Sequence, residues 1–168
     1  MYEVAFEPAI GKTFISMSDP TEHLRYRKLA TPAFRSRAVA SYEREGLASL
    51  AEELVDEVLD RDEFDLTADF TERFPYLVVA RLLGIPRDRE AEFHDWATAL
   101  FSYQANPKGA ERARNSISVL LEEVIEDHRR EPRNDIISEL IGSKIEGRRL
   151  TDEEIISHVR LLLSLIHI

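Results

Sequence analysis

The strongest constraint in this chain of 168 residues is its punctuation. Apolar residues recur at three-and-four spacing in run after run, and proline, asparagine or glycine opens or closes nearly every run. Asp19-Pro20-Thr21-Glu22 is a helix start, with an acid at the N-cap, proline at the first helical position and Glu22 three residues after the cap. That helix should reach about Thr31, where Pro32 excludes helical geometry from the residue before it. Leu47, Leu50, Ala51, Leu54, Val55 and Val58 mark the apolar face of a second helix, with Glu52, Glu53, Asp56, Glu57 and Asp60 on the other side. The chain should break around Asp65-Leu66-Thr67, and a third helix should open near Pro75, carry Leu77, Val78, Leu82 and Leu83, and stop at Gly84-Ile85-Pro86. Phe93, Trp96, Ala97, Leu100 and Phe101 define a fourth helix with an aromatic face. Asn106-Pro107 introduces a long fifth one through Ala113, Ile117, Leu120, Leu121, Val124 and Ile125. After Pro132, Asn134 is expected to cap a short helix through Ile141, and Lys144–Leu150, containing Gly147, reads as a turn or small hairpin. Thr151-Asp152-Glu153-Glu154 is a capping box that opens a last helix. The architecture expected is all-α, with residues 1–18 an irregular lead-in.

Composition narrows the function. Hydrophobic residues are 43% and charged residues 32%, the balance of a globular protein, and the formal net charge is -10. An acidic excess argues against nucleic acid as a partner, because such binding neutralises phosphates. The chain has no cysteine, which excludes disulfides, zinc–thiolate sites and a cysteine nucleophile. No secretory signal is visible at Met1-Tyr2-Glu3-Val4-Ala5-Phe6. The longest nearly apolar stretch, Leu161 to Ile168, is far short of the about 20 residues that span a bilayer. A cytoplasmic protein with no membrane partner is expected. Because the chain stops inside that apolar run, it reads as part of a longer protein.

Against the acidic background one segment is basic. From His23 to Tyr42 there is no acid, while Arg25, Arg27, Lys28, Arg35 and Arg37 are present. Such a stretch is either a solvated face or a surface for an anion or an acidic partner. Within it His23 and Arg27 are four apart on one helix and share a face, so imidazole and guanidinium could grip one carboxylate between them. Other chemistry is unsupported. His94, His128, His158 and His167 have no second histidine at helical metal-ligand spacing, and no serine sits in a Gly-x-Ser-x-Gly elbow. His128 continues the apolar face of its helix, and Phe93, Trp96 and Phe101 read as core.

The run Asp19-Pro20-Thr21-Glu22-His23-Leu24-Arg25-Tyr26-Arg27-Lys28-Leu29, with Thr31-Pro32-Ala33-Phe34 after it, resembles the C-helix region of bacterial cytochrome P-450 haem-thiolate monooxygenases. In order along the chain, Leu82-Leu83-Gly84-Ile85-Pro86 resembles the end of that family's E helix. Asp135-Ile136-Ile137-Ser138-Glu139-Leu140 resembles its H-helix segment, and Leu150-Thr151-Asp152-Glu153-Glu154-Ile155 the entry to its I helix. The helices around Phe93–Phe101 and after Pro107 resemble the F and G pair that roofs the substrate channel. The resemblance implies a multi-helix portion of that fold, C to I helices, incomplete at both ends and forming a single partial domain over 1–168 with a helical body at 19–164. It implies haem b as cofactor, with His23 and Arg27 on the haem propionates and Phe34 beside the porphyrin. Arg25, Lys28 and Arg35 would form the docking surface for a ferredoxin-type electron donor that relays electrons from NAD(P)H. The reaction would insert one oxygen atom from dioxygen into a small hydrophobic substrate.

The sequence also departs from the family pattern. The axial ligand there is a cysteine thiolate, which this chain does not have, and the family's Glu-x-x-Arg helix is absent. Where the I helix should carry small residues and an acid–alcohol pair, Leu165-Ile166-His167-Ile168 stands instead, a tail that reads as non-native. As written the chain is expected to be inactive. Two alternatives remain at this stage: an intact all-α ligand-binding or protein-interaction module with a basic docking patch, and a helical regulatory domain derived from the enzyme.

Overall fold

The computed structural model describes residues 19–31, 40, 46–145 and 147–164. The lead-in 1–18, the segment holding Phe34 and Arg35, and the tail 165–168 lie outside the described residues.

Helix α1 (Pro20–Ala30) starts as its sequence dictates: the Thr21 N–H donates to Asp19 Oδ1 at 2.6 Å, and Pro20 occupies the first turn, where its missing N–H costs nothing. Helix α2 (Ala48–Leu59) buries Leu50, Leu54 and Val58. Val55, counted on the apolar face by spacing, is 41% exposed, because the buried stripe is narrower than the run of apolar residues. The expected break at Asp65 is a helical turn of another kind, a π-helical segment over Leu66–Thr71. The Asp65 carboxylate caps it by accepting from the N–H groups of Thr67 and Ala68 at 2.8 and 3.1 Å. Helix α3 (Arg73–Leu82) begins two residues before Pro75, which sits in its first turn.

A 3₁₀ turn (Arg87–Arg89) leads to α4 (Glu90–Phe101), whose Phe93, Ala97 and Leu100 are fully buried. Helix α5 (Pro107–Arg130) has Asn106 as N-cap, accepting from the Gly109 N–H at 3.0 Å, and proline at its first position. It buries one continuous stripe from Ala110 to His128 and packs on α4 and on the two elements that follow it: α6 (Ile136–Gly142) and α7 (Asp152–Ser164). The cap of α6 is Asp135, not Asn134; its side chain accepts from the Ser138 N–H at 2.8 Å. A two-residue hairpin, β1 (Lys144–Ile145) with β2 (Arg148–Arg149), turns at Gly147 with φ +84°. Helix α7 opens with both arms of the expected capping box: the Glu154 N–H donates to Thr151 Oγ1 at 3.3 Å, and the Thr151 N–H to Glu154 Oε2 at 2.7 Å. The core gathers Tyr76, Leu83, Phe93, Ile117, Leu121, Ile125, Ile137, Ile155 and Leu163 from α3 to α7. Apart from that hairpin the regular elements among the described residues are helices, as expected.

The end of α3 fixes how these helices meet. The Ile85 N–H donates to the Ala80 carbonyl and the Gly84 N–H to the Arg81 carbonyl, each at 3.0 Å, which is a Schellman turn with glycine in the left-handed position at φ +71°. A Cβ on Gly84 would lie 2.5 Å from His128 Cε1 and 2.8 Å from Asp135 Oδ2. Gly84→Ala therefore combines a left-handed alanine with overpacking and should destabilise by about 2–5 kcal/mol. Gly147→Ala, at a similar φ with open space around it, should cost only about 1–2 kcal/mol. Thermal unfolding followed by circular dichroism checks both; equal losses would show that the His128–Asp135 contact does not decide the cost.

Candidate functional site

Helix α1 carries His23 and Arg27 one turn apart, so both project from one face. His23 is half-buried and Arg27 exposed. The helix closes with the Thr31 hydroxyl donating to the Arg27 carbonyl at 2.7 Å. Arg27 and Lys28 lie in its last turn, where positive charge is favoured by the helix dipole. Leu24, on the same helix, is 55% exposed. Helix α1 packs against β1 of the hairpin. His23 and Arg27 therefore place an imidazole and a guanidinium on one helix face. Lys28 adds a further exposed cation. Of the other residues expected here, Arg25 lies in α1 with its side chain outside the described residues, and Phe34 and Arg35 lie outside them altogether. Among the described residues no three His, Asp or Glu side chains are grouped to hold a metal, and no helix is long and apolar enough to cross a membrane.

Two buried polar clusters were not expected from the sequence. The first sits beneath Gly84. His128 is 1% exposed; its Nε2 receives an N–H from Arg133 Nη1 at 3.1 Å, and its Nδ1 stands 3.2 Å from Asp135 Oδ1. A guanidinium only donates, so the imidazole is assigned as neutral with its proton on Nδ1, facing the aspartate. Ser138 Oγ is 3.4 Å from that same nitrogen. Serine and aspartate therefore compete for one nitrogen instead of flanking the ring, so this is no nucleophilic triad. It is a latch that ties the end of α5 to the start of α6.

The second cluster is on α7. Arg160 is 1% exposed, with Nη1 donating to Glu153 Oε1 at 3.4 Å and Nη2 to the Ser118 hydroxyl of α5. Burial lowers the proton affinity of its guanidinium, and Glu153 opposes that shift. Two residues before Arg160, His158 is likewise buried, its Nδ1–H on the Glu154 carbonyl at 2.5 Å. The signal in the sequence was an arginine and a histidine inside the apolar run from Ile155 to Leu163.

Burial holds the His158 pKa below its ordinary 6.5. The sign follows: with the folded value depressed, the neutral ring contributes stability above the unfolded pKa, and that contribution is lost as pH falls below it. The midpoint of urea unfolding should therefore drop from about pH 7.5 to about pH 5.5, and His158→Leu should flatten that slope. An unchanged slope in the variant would assign the pH dependence elsewhere.

No protein-family model matches the chain. It is 32% identical over 161 residues to cyclomarin C epoxidase CymV of Salinispora arenicola, covering 92% of this chain and 40% of that protein. It is 33% identical over 162 residues to cytochrome P450 107B1 of Saccharopolyspora erythraea, covering 94% of this chain and 38% of that protein. Among solved structures, the cytochrome P450 PksS of Bacillus subtilis superposes with a TM-score of 0.84 at 25% identity, over 98% of this chain and 41% of that one. The chain thus spans about two fifths of the length of the relatives it matches.

Proposed function

The chain carries a portion of the bacterial cytochrome P450 fold, and from that premise we propose that it supplies the C-to-I helical part of a haem-dependent monooxygenase. In this reading residues 19–164 are the helical body of a single partial domain, and 165–168 a non-native tail. The observation that supports the reading is the pairing of His23 and Arg27 on one face of α1, in a segment whose sequence resembles the family's C helix.

The residues present fit one part of haem b and not another. Its propionates are carboxylates, and a half-buried imidazole beside an exposed guanidinium can hold them: Arg27 through charge-assisted N–H donors, His23 through one ring N–H. The iron is different, since the chain has no cysteine and supplies no thiolate. Haem bound in the whole enzyme supplies activation of dioxygen and transfer of one oxygen atom to a small hydrophobic substrate. What this chain's own residues do is bind and orient the porphyrin edge and offer positive charge around it. Phe34 would pack beside the ring. Arg25, Lys28 and Arg35, the basic residues around the pair, would receive an acidic ferredoxin-type donor that passes on electrons from NAD(P)H, by electrostatic steering. The setting is cytoplasmic. By itself the 168-residue chain is proposed to be without monooxygenase activity.

Haemin titration of the chain, followed by Soret absorbance, tests the propionate role. Arg27→Ala should weaken binding about tenfold and His23→Ala about threefold or more, the scale of one charge-assisted hydrogen bond each. Arg27 is exposed and His23 half-buried, so both variants should keep the wild-type circular dichroism. Equal affinity in all three proteins would contradict the assignment, and a carbon-monoxide band of thiolate-ligated ferrous haem from the chain would contradict its inactivity.

A further inference from the structure

Between α2, α3 and α4 lies a groove of about 540 Å³, a size suited to a small organic molecule. It makes no use of His23 or Arg27. Its rim is formed by ion pairs that are already closed: Arg73 with Glu57 at 2.6 Å, Arg81 with Glu53 at 2.6 Å, and Arg87 with Glu53 at 3.4 Å. Its inner wall is not. The Tyr76 hydroxyl is buried, on a residue only 2% exposed, and has no hydrogen-bond partner among the described residues. Glu90 Oε1 and Arg81 Nε are also buried and stand 3.5 Å apart, a long ion pair. A buried polar atom left unmatched costs free energy, so the Tyr76 hydroxyl, with a loosely held Glu90–Arg81 pair lining the same groove, marks a place built to receive a polar group.

The chemistry of that group follows from charge. The groove is lined by the carboxylates of Glu53, Glu57, Glu90 and Asp95 against the guanidiniums of Arg73, Arg81 and Arg87, an excess of one negative charge. The three arginines are held by Glu53, Glu57 and Glu90, while Asp95 stands 3.6 Å from His94. Burial, and then the nearby charges of Asp95 and Glu90, push the Tyr76 pKa far above its ordinary value, so the phenol remains protonated and both carboxylates lie close to it. The Tyr76 ring is held by His94, edge-on at 4.6 Å, and by Phe93 at 5.9 Å. Leu54 and Leu77 supply apolar wall.

We propose that this groove binds a small organic amine in its protonated form, with the ammonium donating to Glu90 Oε1 and the Tyr76 hydroxyl oxygen, Asp95 adding charge at the mouth, and the hydrocarbon part lying on Leu54 and Leu77. Entry displaces the half-exposed His94 ring from the Tyr76 edge.

Calorimetric titration of the chain with n-butylammonium, and with 1-butanol as a neutral molecule of the same shape, tests this. Butylammonium should bind saturably and at least about tenfold more tightly than butanol, with the difference shrinking at high salt. Glu90→Gln and Tyr76→Phe should each weaken butylammonium binding about tenfold, and Asp95→Asn about threefold. Asp95 is 83% exposed, so its variant tests the charge without risk to the fold even where a change at Glu90 or Tyr76 disturbs it. Absence of saturable binding, which would mean that water alone satisfies these groups, would overturn the proposal. So would equal binding of amine and alcohol, or unchanged binding in the folded variants. Because α1 takes no part, failure here leaves the haem reading standing, and failure there leaves this one.

Discussion

Gly84 has no side chain because His128 and Asp135 occupy the space where one would be. That close approach is the constraint on which the helical arrangement rests. Asp135 serves three elements at once: it caps α6, faces the protonated nitrogen of His128 near the end of α5, and lies against the turn that ends α3. Arg133 satisfies the other ring nitrogen. A buried imidazole with both nitrogens matched and a buried carboxylate with two neighbours form a polar network without the cost of an unmatched group. It fixes α3, α5 and α6 in one relation, and α7 then packs on all three.

Much of this was legible in the order of residues, for a local reason. Caps, first-turn prolines and glycine turns act within four residues, so Asp19-Pro20, Asn106-Pro107, Leu82-Leu83-Gly84-Ile85-Pro86 and Thr151 to Glu154 could each be read where they stand. The errors have local causes too. Asn134 and Asp135 are adjacent good caps, and only the second has its carboxylate over the Ser138 N–H. Asp65 was read as a break because a π-helical turn leaves no three-and-four signature in six residues. What could not be read depends on contacts across the chain: Arg160 reaching Ser118 on another helix, or Tyr76, Arg81 and Glu90 meeting around one groove. Spacing shows which face a side chain shares, not what stands opposite.

The candidate site was legible for the same local reason and to the same depth. Four-residue spacing on a helix put His23 and Arg27 on one face, and the described part of α1 agrees. Phe34, Arg35 and the Arg25 side chain are outside the described residues, so their roles stand on sequence resemblance. The electrostatic logic is simple. A chain of net charge -10 concentrates five cations and no acids between His23 and Tyr42. That contrast is the charge argument on which the proposed anion-binding and docking roles rest.

The central claim is that the α1 pair recognises the carboxylates of a porphyrin. The most direct measurement compares binding of haemin with that of its dimethyl ester, in which both propionates are masked while the ring and the iron are unchanged. The account predicts that the ester binds the wild-type chain about tenfold more weakly and that Arg27→Ala erases most of that difference. Equal binding of acid and ester by the wild-type chain would contradict it.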